Sequence, residues 1–267
     1  MPSDPQLLHY TSADGATQLG IDLYHPDGPC KATVIYAHCG GFSHGSRKDK
    51  TARRLSEKLG PEGVAVASID YRKKTGIEAF EPRKAKAIEA AQARTARVGM
   101  RINPNYCGPA FYAALEDFAA ALTYLRENQN DLGLSAPFVA LGASAGGIAA
   151  LSLAWPPRDG WQDLPRPDAA MGVCAAMVQP WRLHREGPPA VWMHGCHDGV
   201  ISPRNARLIA KKALEKSAPL SVHITPVRGH RQQVTAFLEE DDPDGRPWLD
   251  LLRGLIASVN QADKRSS

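Results

Sequence analysis

Short, unbroken apolar runs alternate with amphipathic helical stretches along most of the chain, and this alternation narrows the possible folds more than any other feature. Ala32–Ala37 (ATVIYA) is followed by Gly40 and Gly41 and then by a charged helical stretch, residues 48–59, that stops at Gly60. A second apolar run, residues 63–70 (GVAVASID), comes next. Such a strand has no polar face, so both faces must be covered, as in parallel strands layered between helices. The rhythm resumes after Pro109 with a helix over 111–129, in which Phe111, Leu115, Phe118, Leu122 and Leu125 recur at helical spacing, and then the strand 138–141. A small-residue helix (Ala145–Ala154), apolar runs at 169–177 and 190–193, a helix at 204–216, a strand at 220–227 and a last helix near 248–259 complete the pattern. Only the opening differs, where Gln6–Thr11 and residues 17–25 flank the turn residues Asp14 and Gly15 and read as antiparallel strands.

The expected fold is therefore α/β, with a mostly parallel sheet, helices on both faces and no large lid domain. No repeat or linker divides the chain, so a single domain over 1–267 is expected, interrupted by an inserted helical segment at about 73–108. Within that segment Pro82 stands where a first-turn proline belongs and Gly99 where a helix stops. Five scattered cysteines make a poor disulfide framework, no apolar stretch is long enough to span a membrane, and MPSDPQLLHY lacks the apolar run of a signal peptide. A cytoplasmic protein with no membrane partner is the expectation. The sequence carries no signal of oligomeric state.

Gly142-Ala143-Ser144-Ala145-Gly146 fits G-x-S-x-G, the pattern that puts a serine on a tight strand-to-helix turn. Gly41-Phe42-Ser43-His44-Gly45 fits it too, but His38, Cys39 and Gly40 intervene between that match and the strand before it, whereas the strand 138–141 runs straight into Gly142. Ser144 is the expected nucleophile. A serine hydroxyl needs a base, and His230 follows Gly229 just past a strand end, whereas His223 lies inside that strand and reads as structural. Asp198, a few residues past the run 190–193, is the expected acid that orients His230. His194, Cys196 and His197 beside it invite a metal reading, but no second His/Cys group at zinc spacing completes a site, so no metal and no cofactor is expected. His38-Cys39-Gly40-Gly41 suits an oxyanion loop, with the amides of Gly40, Gly41 and Ala145 as donors.

These motifs, with Asp70-Tyr71-Arg72 and Pro109 through Asp117, fall in one order between about residues 30 and 235. Together they resemble the α/β-hydrolase superfamily, and more narrowly its bacterial carboxylesterases of the hormone-sensitive-lipase type, with their HGGG loop. The resemblance implies a carboxylesterase-like serine hydrolase that forms an acyl-enzyme on Ser144 and acts on a small-molecule ester of small to moderate size. An amide hydrolase (arylformamidase or peptidase) on the same triad, or a non-catalytic binding protein, are the alternatives. Three departures stand out: Cys39 replaces the first glycine of HGGG, the link from Arg72 to Pro109 is long, and strands are expected within the first dozen residues, where that type would carry an N-terminal cap. The inserted segment is then left to cover the site, with Phe42, Tyr106, Phe111 and Trp181 expected to border the substrate.

The formal net charge is only +4, which gives no argument for nucleic acid. Yet residues 72–101 hold nine Lys or Arg against three Glu, a local +6, which leaves −2 for the rest. A basic flap at the site mouth makes an anionic substrate or product a further expectation.

Overall fold

The computed structural model describes residues 4–266. Eight strands form one sheet: β1 (Gln6–Thr11), β2 (Gln18–Tyr24), β3 (Ala32–Ala37), β4 (Val64–Ile69), β5 (Phe138–Ala143), β6 (Ala169–Val173), β7 (Ala190–His197) and β8 (Leu220–Arg228). Their spatial order is β1-β2-β4-β3-β5-β6-β7-β8. The β1–β2 and β2–β4 pairs are antiparallel, and every pair from β4 to β8 is parallel. The α/β class expected from the alternation is thus the one observed.

Every residue of β3, β4, β5 and β6 is buried, because side chains of period two feed two separate cores. Ile35, Ala67, Ala140 and Trp192 face α2 (Pro82–Arg97), α3 (Pro109–Glu127), α4 (Ala145–Ala154) and α5 (Pro203–Glu215). Val34, Val66, Leu141 and Met193 face α1 (Lys50–Leu59), α6 (Gln232–Glu239) and α7 (Asp250–Ser266). Two departures from the sequence expectation have a local cause. The run 169–177 stops being strand at Val173, because Cys174 takes a positive φ of 45° and turns the still-buried chain away. The helix α6 carries no strong apolar signature, since the buried Gln233 occupies its inner face. Among the described residues no helix is long and apolar enough to cross a membrane.

Glycines set how closely α4 approaches the sheet. A Cβ on Gly146 would overlap the Ala37 carbonyl at the end of β3, and one on Gly142 would overlap the backbone of Gly146. A Cβ on Gly147 would make a third close approach, 2.7 Å from the Gly142 carbonyl oxygen and from the Ala175 methyl. The small residues after Ser144 thus permit a helix buried on every side, whose first turn rests on two strand ends.

The end of β4 is tied down by three consecutive side chains. Asp70 accepts from Arg47 at 2.6 Å, the Tyr71 hydroxyl donates to the His38 carbonyl at 2.8 Å, and Arg72 pairs with the fully buried Asp117 at 2.9 Å. Asp117 also accepts from the backbone amides of Arg72 (2.8 Å) and Ala13 (3.0 Å), joining β4, α3 and the β1–β2 turn. Removing a buried partner leaves the other charge desolvated and unmatched. Asp117→Ala should therefore cost about 3 kcal/mol, near the low end for a buried pair because Asp14 and Glu116 still reach Arg72. Urea unfolding measures this, and a loss below about 1 kcal/mol would refute the assigned role.

Candidate active site

β5 delivers the chain to Ser144 at φ 53° and ψ −116°, and α4 begins at the next residue. A non-glycine residue in this region costs on the order of 1–3 kcal/mol and persists only when its surroundings hold it. Here the Ser144 amide donates to the Val173 carbonyl on β6 (2.9 Å), and the Ser144 carbonyl accepts from Ile148 (2.9 Å). The hydroxyl is thereby fixed at the carboxyl edge of the sheet, where ligands collect in open α/β folds.

Beyond two neighbouring strand ends stand the expected partners. His230 Nε2 lies 2.9 Å from Ser144 Oγ, and His230 Nδ1 lies 2.7 Å from Asp198 Oδ2. The other Asp198 oxygen accepts from the amides of Val200 (2.8 Å) and Ile201 (2.9 Å). Burial pushes the Asp198 carboxyl up, but the hydrogen bonds from His230, Ile201 and Val200 outweigh it and hold the pKa below the usual carboxylate value. A charged carboxylate only accepts, so His230 Nδ1 must carry the proton. Neutral His230 then presents the Nε2 lone pair to the Ser144 hydroxyl.

Gln233 completes this arrangement, and sequence reasoning missed it. Its side chain is fully buried, and its amide nitrogen donates to Asp198 Oδ2 (2.8 Å) and to the Gly229 carbonyl (2.9 Å). The amide oxygen accepts from Gly195 on β7 (2.5 Å). The only signal available was a polar residue three positions after His230, which has meaning only once α6 is known.

The loop after β3 turns on Gly40 (φ 134°) and Gly41 (φ 60°), whereas Cys39 is not among the residues with positive φ. The cysteine that replaces the glycine of HGGG therefore introduces no left-handed strain. The Gly40 carbonyl closes the turn by accepting from Ser43 (3.0 Å) and His44 (3.1 Å). Among the described residues the amides of Gly40, Gly41 and Ala145 donate no hydrogen bond, and Gly40 and Gly41 border the same cavity as Ser144. His38 is packed beneath, stacked on Tyr71 with ring centroids 4.3 Å apart and with Nδ1 2.7 Å from the Cys39 carbonyl.

Ser144 opens into a cavity of roughly 570 Å³, with Tyr106, Asn103, Asn105, Asp49 and Arg231 among its walls. Three of the four residues expected to border the substrate lie elsewhere. Phe42, at φ 58°, directs its ring into the core, where it packs edge-on against Tyr71 and Phe111, and Phe111 is itself fully buried. Trp181 lines a separate cavity that shares no residue with this one. Only Tyr106 faces the Ser144 cavity. Ser43 also reaches it, but its hydroxyl is engaged with the Gly40 carbonyl (3.0 Å) and with His44 Nδ1 (2.9 Å). His223 lies on the edge strand β8, with its Nε2 3.0 Å from Ser221 Oγ.

The basic residues of the insertion do not line this cavity, which corrects the idea of a basic mouth. Lys73 donates to the Gly45 carbonyl, and Lys84 pairs with Glu116 at 2.6 Å. Arg231 and Asp49 leave the lining with one charge of each sign. His194 is buried, with Nε2 3.0 Å from the Ile201 carbonyl, and among the described residues no three His, Cys, Asp or Glu side chains converge as a metal-binding group.

Burial keeps both His38 and His194 below the ordinary imidazole pKa of 6.5. Each is neutral in the folded chain and binds a proton more readily when unfolded. The stability they carry is full above about pH 6.5 and is lost as the pH falls toward their depressed folded values. The melting temperature should accordingly decline below about pH 6.5. His194→Gln, which can keep a bond to Ile201 but cannot take a charge, should flatten that decline, and an unchanged slope would contradict the assignment.

No protein-family model matches the chain, and no curated protein matches its sequence. Solved structures do match. The native form of a thermophilic esterase from the Planctomycetes species Thermogutta terrifontis, Est2, superposes with a TM-score of 0.67 at 16% identity, over 96% of this chain and 92% of that one. The same esterase phosphonylated by cyclosarin gives 0.63 at 16% identity, over 85% and 84%. Its propionate-bound form gives 0.63 at 16% identity, over 98% and 93%. With its sheet order, its serine elbow and these neighbours, the chain has the α/β-hydrolase fold.

Proposed function

We propose that this protein is a carboxylesterase-like serine hydrolase that cleaves carboxylic esters of small to moderate size through an acyl-enzyme on Ser144. The observation that carries the reading is the chain of contacts from Ser144 Oγ through His230 to Asp198, 2.9 and 2.7 Å, at a strained strand-to-helix turn. His230 Nε2 takes the hydroxyl proton as Oγ attacks the ester carbonyl, and Asp198 stabilises the imidazolium without accepting the proton. The developing oxyanion falls to the amides of Gly40, Gly41 and Ala145, where losing one donor costs about 3–4 kcal/mol. The imidazolium then protonates the departing alcohol. A water, deprotonated by the same nitrogen, attacks the acyl carbon and releases the acid with Ser144 restored.

The cavity volume falls within the range of small-molecule sites. Its walls mix Asn103, Asn105 and Tyr106 with one acid and one base, which suits a neutral, polar ester better than an anionic one. That Est2 has been captured phosphonylated by cyclosarin and with propionate bound supports an ester-cleaving serine on this fold.

Turnover of p-nitrophenyl acetate and butyrate tests the proposal. Ser144→Ala should fall to background while Ser43→Ala retains activity. Asp198→Asn should lower kcat by about three to four orders of magnitude with the fold intact. Gln233→Leu, which strips Asp198 of one donor, should cost about tenfold or more in kcat. A loss below about tenfold in Asp198→Asn would remove it as the acid, and faster cleavage of matched anilides than of esters would move the reading to an amide hydrolase.

A further inference from the structure

The second cavity, roughly 300 Å³, lies between α2 and the loops that follow α4 and β6. Three guanidinium groups line it, those of Arg94, Arg158 and Arg182, against a single carboxylate, Asp159. None of the three arginines has an ion-pair partner among the described residues. Arg182 spends its Nε on the Pro156 carbonyl (2.8 Å), and Arg94 lies over the Trp181 ring, 4.5 Å from its centroid. The remaining walls are flat or apolar: Trp161, Tyr112 and Trp181, with Ala87, Ala90 and Ala91 of α2 along one side. Gln179, buried, donates to the Tyr112 hydroxyl at 2.6 Å, which leaves its amide oxygen without a hydrogen bond among the described residues.

Three arginines against one carboxylate give the cleft a net positive charge. Here Arg158 and Arg182 repel each other: burial first, then the charges of Arg158 and Arg166, hold Arg182 below its ordinary pKa against the pull of Asp159. A bound anion would relieve that repulsion through charge-assisted, bidentate contacts, and the half-buried Trp181, with Ala87, Ala90 and Ala91 of α2, would cover an attached apolar group.

We propose that this cavity is a second ligand site, separate from the Ser144 cavity, that takes a small organic anion with a flat aromatic or hydrocarbon body. The inserted segment contributes one charge here, Arg94, and none of its basic residues lines the Ser144 cavity. The inference does not require Ser144 to be a nucleophile.

Calorimetric titration of the full chain at low ionic strength tests it, with 2-naphthoate as the probe and 2-naphthalenemethanol as its neutral counterpart. The acid should bind about tenfold or more tightly than the alcohol and weaken as salt screens the arginines. The double variant Arg94→Ala/Arg158→Ala changes two exposed side chains outside the Ser144 cavity, so its melting temperature and its p-nitrophenyl acetate hydrolysis should match the parent. Its affinity for 2-naphthoate should fall by about tenfold or more. Undetectable binding of the acid, equal affinity for acid and alcohol, or undiminished affinity in the double variant would each overturn the proposal. Loss of esterase activity with binding unchanged would bear on Ser144 and not on this site.

Discussion

One buried carboxylate, Asp198, holds the functional end of the molecule together. A charge removed from water is tolerable only when its lone pairs are occupied, and here four donors from three segments occupy them: the amides of Val200 and Ile201, the Gln233 side chain and His230. The demand of that charge ties the end of β7, the loop after β8 and the first turn of α6 into one unit. It also decides the chemistry available to His230, because a charged Asp198 puts the imidazole proton on Nδ1 and turns a basic nitrogen toward Ser144. Gln233 extends the unit back into the sheet through Gly195.

The serine side is organised by exclusion of volume. The elbow exists because α4 starts in contact with the ends of β3 and β5, and the glycines at 142, 146 and 147 leave room for nothing larger. The loop that carries Gly40 and Gly41 begins at the same strand end and is braced by the stacking of His38 on Tyr71. Asp70 and Arg72, on either side of Tyr71, fasten that brace to Arg47 and Asp117. The motifs around residues 70 and 117 therefore act as scaffolding for the residues around 40.

The sequence made the strands legible wherever burial was two-sided, because an unbroken apolar run such as ATVIYA admits few interpretations. Ser144, Asp198 and His230 were legible for a related reason: each follows a strand, and strand ends in a parallel sheet share one edge. Properties that depend on where a side chain points were not legible. Phe42 and Phe111 looked like pocket walls because they neighbour functional motifs, but backbone geometry at Phe42 turns its ring inward. Trp181 faces a different cavity, and of the basic residues of the insertion only Arg94 lines that one. Gln233 left no trace, since an isolated buried amide in a helix of eight residues weakens the very periodicity that would reveal the helix.

In the proposed function, the contact between His230 and Ser144 makes that hydroxyl, and no other, the nucleophile. Peptide mapping by mass spectrometry after treatment with diisopropyl fluorophosphate tests it most directly. A single phosphoryl adduct on the peptide that contains Ser144, absent when His230 is replaced by alanine, is the predicted result. An adduct on Ser43, or one on Ser144 that forms equally well without His230, would contradict it.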